Sequence, residues 1–72
     1  MNKRMFAAKA RRVVVAHARS LGIRGQFLKN TPLHYLMSDL VSGLMLLAEK
    51  EKLDFSIVLK DARENVQEVN CG

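Results

Sequence analysis

Seventy-two residues, 49% of them apolar, make at most one small domain, and a chain this short buries only about 60% of its unfolded surface. The single Cys71 excludes an internal disulfide, the two histidines lack partners at metal-ligand spacing, and no apolar run approaches the roughly 20 residues of a membrane span. The formal charge of +5 is divided unevenly, since residues 1–29 hold Lys3, Arg4, Lys9, Arg11, Arg12, Arg19, Arg24 and Lys29 and no acid, whereas all seven acids lie from Asp39 onward with four bases.

The first helix is expected over residues 4–20. At 100° per residue, Phe6, Ala10, Val13, Val14, His17 and Leu21 share one apolar arc. Arg4, Arg11, Arg12 and Arg19 share the opposite arc, interrupted only by Ala8 and Val15. Gly22 stands where a glycine in the left-handed conformation ends a helix. His17, within the apolar arc, reads as a neutral core histidine with one satisfied hydrogen bond. The stretch 1–25 is Arg-rich, acid-free and amphipathic, as mitochondrial presequences are. It is poor in Ser, and its removal would leave too short a remainder.

Residues 22–31 form a connector. Ile23, Phe27 and Leu28 are too apolar for a free linker and are expected to fold back over the core, with room for one helical turn. Thr31-Pro32 reads as a helix start, with Thr as the cap and Pro at the first helical position.

The second helix is expected over 32–50. Leu33, Leu36, Met37, Leu40, Leu44, Leu47 and Ala48 form a wide stripe, widened further by Tyr35, Val41, Met45 and Leu46. A helix this apolar must be central and covered on two sides. Met37 and Met45 read as packing residues, His34 as a surface histidine, and Gly43 as a point where another backbone approaches closely. Asp39 has three readings: a solvated edge residue, a buried partner for an arginine of the first helix, or a site residue. Glu51-Lys52 makes a turn. Asp54 then caps a third helix over 55–69, with Leu53 and Val58 at the spacing of a hydrophobic staple. Phe55, Val58, Leu59, Ala62, Val66 and Val69 line its apolar face, and residues 70–72 are expected to be a disordered tail.

The chain is therefore read as all-α over 1–72: a three-helix domain with a long central hairpin, forming a helical-bundle homodimer. Regular packing and self-association are the remaining ways to stabilise so small a core. The dimer interface is assigned to Tyr35, Val41, Gly43 and Met45.

Catalytic chemistry is not legible. Cys71 lies at the chain's edge, neither histidine has the surroundings of a triad, and glycine-rich phosphate loops are missing. Gly22-Ile-Arg-Gly25 matches the Gly-x-x-Gly of one class of RNA-binding loop, but that loop needs flanking strands. The sequence is read as non-enzymatic, without metal or other cofactor. The one constellation with a mechanism behind it is basic. Arg4, Arg11, Arg12 and Arg19, extended by Arg24 and Lys29, suit a phosphate backbone, DNA or RNA, because neutralising phosphates releases counterions. The competing readings are a solvated face, an acidic protein partner, or pairing with the acidic third helix of a second copy. The lone cysteine points to a reducing, cytoplasmic setting.

Three stretches carry a resemblance: Leu36-Met-Ser-Asp39-Leu40, Met45-Leu-Leu-Ala48, and Leu53-Asp-Phe-Ser-Ile-Val58. Residues 33–66 resemble the C-terminal helical hairpin of the all-α nucleotide pyrophosphohydrolases (MazG-like). That family holds magnesium with a Glu-x-x-Asp pair on one helix and a Glu-x-x-Glu pair on the preceding one. Asp39 matches the aspartate, Leu36 stands at the glutamate, and the first helix has no acid. The resemblance therefore implies an oligomeric helical scaffold, or a degenerate relative, rather than a magnesium site. In size and composition the chain also resembles small accessory proteins of phages and plasmids.

Overall fold

The computed structural model describes residues 2–71. Four helices follow one another: α1 Lys3–Ser20, α2 Gly25–Asn30, α3 Leu33–Lys50 and α4 Phe55–Cys71. The three long helices are those the periodicity predicts. The connector holds a fourth, so the three-helix reading needs correction: α2 is short but has its own hydrogen bonds. The α4 helix continues through Asn70 to Cys71, where a frayed tail was expected, and Gly72 lies outside the described residues.

Each boundary has a local cause. At the start of α1, Asn2 Oδ1 accepts from the backbone N–H groups of Arg4 at 2.8 Å and Met5 at 3.4 Å, satisfying two donors that the first turn leaves orphaned. At the other end, Gly22 adopts φ 89°. Its N–H donates to the Arg19 carbonyl, and the Ile23 N–H donates to the Ala18 carbonyl, both at 3.0 Å. That pair of bonds is a Schellman motif.

The same motif closes α3. Lys52 adopts φ 57°; its N–H donates to Glu49 O at 3.2 Å and the Leu53 N–H donates to Ala48 O at 2.8 Å. Ala18 and Ala48 thus hold equivalent positions in the two motifs, and both are buried. Ile23 packs against the cluster that contains Ala18, whereas Leu53 stays exposed.

The cap expected from Thr31 does not form. Its hydroxyl donates backwards to the Phe27 carbonyl at 2.7 Å and so belongs to the end of α2. Pro32 is the cap residue of α3, and its carbonyl accepts from the Tyr35 N–H at 3.1 Å. At α4 the expected cap is present. Asp54 Oδ1 accepts from the Ser56 N–H at 2.9 Å and from the Ser56 hydroxyl at 2.6 Å. These bonds, the side-chain one foremost, hold the Asp54 carboxyl below its ordinary pKa of 3.8.

Packing is sparse. Val14, Ala18 and Leu36 form a small cluster between α1 and α3, flanked by Ile23, Leu28 and Leu40. Ala48 is the one other buried residue described. Among the described residues, eighteen large apolar side chains stay exposed, too many to be scattered surface residues. The dimensions explain this: the molecule measures 37 × 32 × 15 Å, and a helix with its side chains is about 10–12 Å across. The helices lie in little more than one layer, so each buries one edge and leaves a face open.

Three expectations change. The α3 helix touches both α1 and α4 but is not covered on two sides, and Met37 and Met45 are exposed instead of packed. Gly43 faces a side chain, the imidazole of His17, and no second backbone. A Cβ there would lie 3.5 Å from His17 Cε1, an ordinary contact.

Candidate functional site

The basic face of α1 follows from one repeated choice. Bases recur at positions that the apolar arc leaves outside, and no acid interrupts them. Arg4 and Arg19 are fifteen positions apart, so the face extends about 22 Å along the axis. All four arginines are exposed, as are Lys3 and Lys9. No ion pair forms among the described residues. Lys3 and Arg4 also occupy the first turn, which contains no acid. There the positive end of the helix dipole disfavours a cation by about 0.3–1 kcal/mol, and a bound anion would relieve that.

The connector adds to this face. Packing of Ile23 and Leu28 against the Val14–Ala18–Leu36 cluster folds α2 back onto α1. Lys29 consequently lines one hollow with Arg11, together with Val15, Leu28 and Pro32. Two of the six predicted anion-binding residues from different elements are thus brought together. Arg24 is exposed and is the residue that precedes α2, with extended backbone (φ −140°, ψ 162°). Phe27 does not fold over the core as its neighbours do; it is 71% exposed.

The four residues assigned to a dimer interface are not brought onto one surface. Val41 and Met45 lie on neighbouring parts of α3 and are both exposed. Tyr35 is exposed elsewhere on the helix, beside His34, whose ring centroid is 4.3 Å from its own. Gly43 faces His17 of the same chain. His17 itself is half-buried against Gly43, and among the described residues its ring forms no hydrogen bond.

Asp39 is exposed and forms no ion pair with an arginine, so of its three readings the solvated one fits. Among the described residues no three His, Cys, Asp or Glu side chains converge as metal ligands. No helix is long and apolar enough to cross a membrane. No family model matches the chain, and no curated protein or solved structure shows significant similarity to it.

Proposed function

We propose that this chain is a small, non-enzymatic helical accessory protein that binds nucleic acid through the basic face of α1 and works as a homodimer. The observation that supports it is the acid-free face itself. Ordinary surface helices mix signs, because opposite charges three or four positions apart stabilise the helix. Here Arg4, Arg11, Arg12 and Arg19 stand together, exposed and without ion pairs, and Lys29 joins Arg11 from α2. The spacing along one helix suits a row of phosphates. Aromatic side chains, which single-strand binders interleave with their bases, do not occur on that arc. The proposed contacts are therefore to the phosphate backbone, without base reading.

The test is binding of duplex DNA, duplex RNA and single strands as a function of salt. Affinity should fall steeply between about 50 and 200 mM salt and should be lost in the double variant Arg11→Glu/Arg12→Glu.

A second reading, a protein–protein module, is favoured by the amount of exposed apolar surface. It differs in outcome: a partner protein would remain bound after nuclease treatment. The resemblance of residues 33–66 to the pyrophosphohydrolase hairpin supports only a scaffold, since Leu36 stands where the partner glutamate would be and no three His, Cys, Asp or Glu side chains converge among the described residues.

A further inference from the structure

Five of the eighteen exposed large apolar side chains described, Phe6, Leu33, Met37, Val41 and Val66, line three neighbouring hollows. Ala7 and Ala10 of α1 line two grooves at once. One opens toward Leu33 and Met37 of α3. The other, of about 350 Å³, opens toward Val66 and Val69 of α4, with Phe6 between them. Met37 in turn lines a hollow that continues to Val41. The three hollows adjoin through these shared residues, and we treat them as one trough that touches all three long helices, from Val41 through Ala7 and Ala10 to Val66. Its apolar walls are open: Met37 is 50% and Val66 58% exposed.

We infer that a second copy of this chain covers the trough, and that Arg4, Arg12 and Arg19 of α1 stay outside the interface. The inference rests on the homodimer reading above and specifies the face. Three quantities point to a second copy. A folded 8.1 kDa monomer exposes about 4,500 Å² on average, whereas this chain exposes 6298 Å². If each copy gave up that excess of about 1,800 Å², the dimer would bury about 3,600 Å² in all, within the range of obligate homodimers. The radius of gyration is 13.9 Å, against about 11 Å for a compact chain of this length and about 14–15 Å for a body of two such chains.

Charge fits the same occupant. The α4 end of the trough carries one charge of each sign, Lys3 and Glu68, so a copy related by a two-fold axis meets no wall of like charge. On α1, the arginine arc is centred about 140° round the helix from Phe6, Ala7 and Ala10. Covering the trough therefore leaves Arg4, Arg12 and Arg19 free, whereas Arg11 lines its edge. The dimer then displays two basic faces, one per subunit.

The experiment is sedimentation equilibrium of the full chain, without nucleic acid, at low salt and at about 1 M salt, where exposed charge pairs are screened. The wild type should be a dimer in both. Met37→Glu and Val66→Glu should be monomeric. Arg12→Glu/Arg19→Glu and Tyr35→Glu should remain dimeric, Tyr35 lying about 140° round α3 from Met37 and Val41. A monomeric wild type, a larger assembly, a dimer that dissociates at high salt, or a dimer indifferent to both trough variants would overturn the inference. If the trough variants unfold, the wild-type Tm decides. A Tm that rises with protein concentration supports the dimer, and one independent of concentration contradicts it. Because nucleic acid is absent, failure of the dimer is distinguishable from failure of the binding proposal.

Discussion

Gly43 of α3 lies against the imidazole of His17 of α1, and a methyl group added at its Cα would rest 3.5 Å from Cε1 and 3.8 Å from Nε2. Both distances are ordinary contacts, so nothing in this chain requires glycine there. Gly43→Ala should raise helix stability by about 1 kcal/mol, the propensity difference between the two residues, and should add a contact with His17. Thermal unfolding at fixed protein concentration checks this. A lower Tm would show that Gly43 approaches something closer than a side chain.

The paired Schellman motifs make opposite predictions. Gly22 holds φ 89°, so Gly22→Ala should destabilise by about 1 kcal/mol. Lys52 holds φ 57° with a side chain that disfavours it, so Lys52→Gly should stabilise by a similar order of magnitude. Both motifs otherwise share the same two backbone bonds. Equal and like-signed shifts in Tm for the two variants would contradict the assignment.

Most of the secondary structure was legible in the sequence, for identifiable reasons. Asp54 sits directly before an apolar period of 3.6, and its carboxylate bonds Ser56 as a cap should. Gly22 ends α1 because little else fits positive φ. Thr31 misled because a hydroxyl can bond forwards as a cap or backwards to the previous turn, and composition does not choose; here it bonds Phe27. The turn at Glu51-Lys52 was legible, but the left-handed backbone of Lys52 was not, since lysine has no preference for that region. The wide apolar stripe of α3 led to an expectation of cover on two sides, which this chain alone does not supply, since Met37, Leu44 and Met45 stay exposed. It did not indicate that α1 and α4 would lie beside it in one layer, because periodicity reports how much of a helix must be buried and not by which chain. The basic arc was visible from spacing alone, whereas the meeting of Arg11 with Lys29 depends on Leu28 packing, a tertiary contact.

Leu28 and Phe27 should separate accordingly. Leu28 packs against the Val14–Ala18–Leu36 cluster, while Phe27 is the most exposed large apolar residue described. Leu28→Ala should cost on the order of 1–2 kcal/mol, less than a fully buried leucine, and should weaken anion binding by loosening Lys29. Phe27→Ser should change stability by less than about 0.5 kcal/mol. Denaturant unfolding midpoints measure both, and a larger loss from Phe27→Ser would place it in a contact the structure does not show.

The Asp54 cap sets a pH dependence whose sign follows from its cause. Hydrogen bonds from Ser56 favour the charged carboxylate and lower its pKa in the folded state below the 3.8 of an unperturbed group. Its stabilising effect is therefore complete above 3.8 and is lost as pH falls through the lower, folded value. Asp54→Ala should lower Tm near neutrality, and the gap to wild type should close in acid. A gap that persists unchanged at the lowest pH would show that the carboxylate's charge is not what caps α4.

The proposal that α1 binds nucleic acid makes the most direct demand. Fluorescence anisotropy of labelled duplex DNA, titrated with the protein at several salt concentrations, gives the dependence of log K on log salt. If Arg4, Arg11, Arg12, Arg19, Arg24 and Lys29 all neutralise phosphates, the slope per chain should approach about −5 on duplex DNA. Arg11→Glu/Arg12→Glu should abolish binding without altering helix content. No detectable binding of duplex or single-stranded DNA or RNA by the wild-type protein at about 50 mM salt would contradict the account.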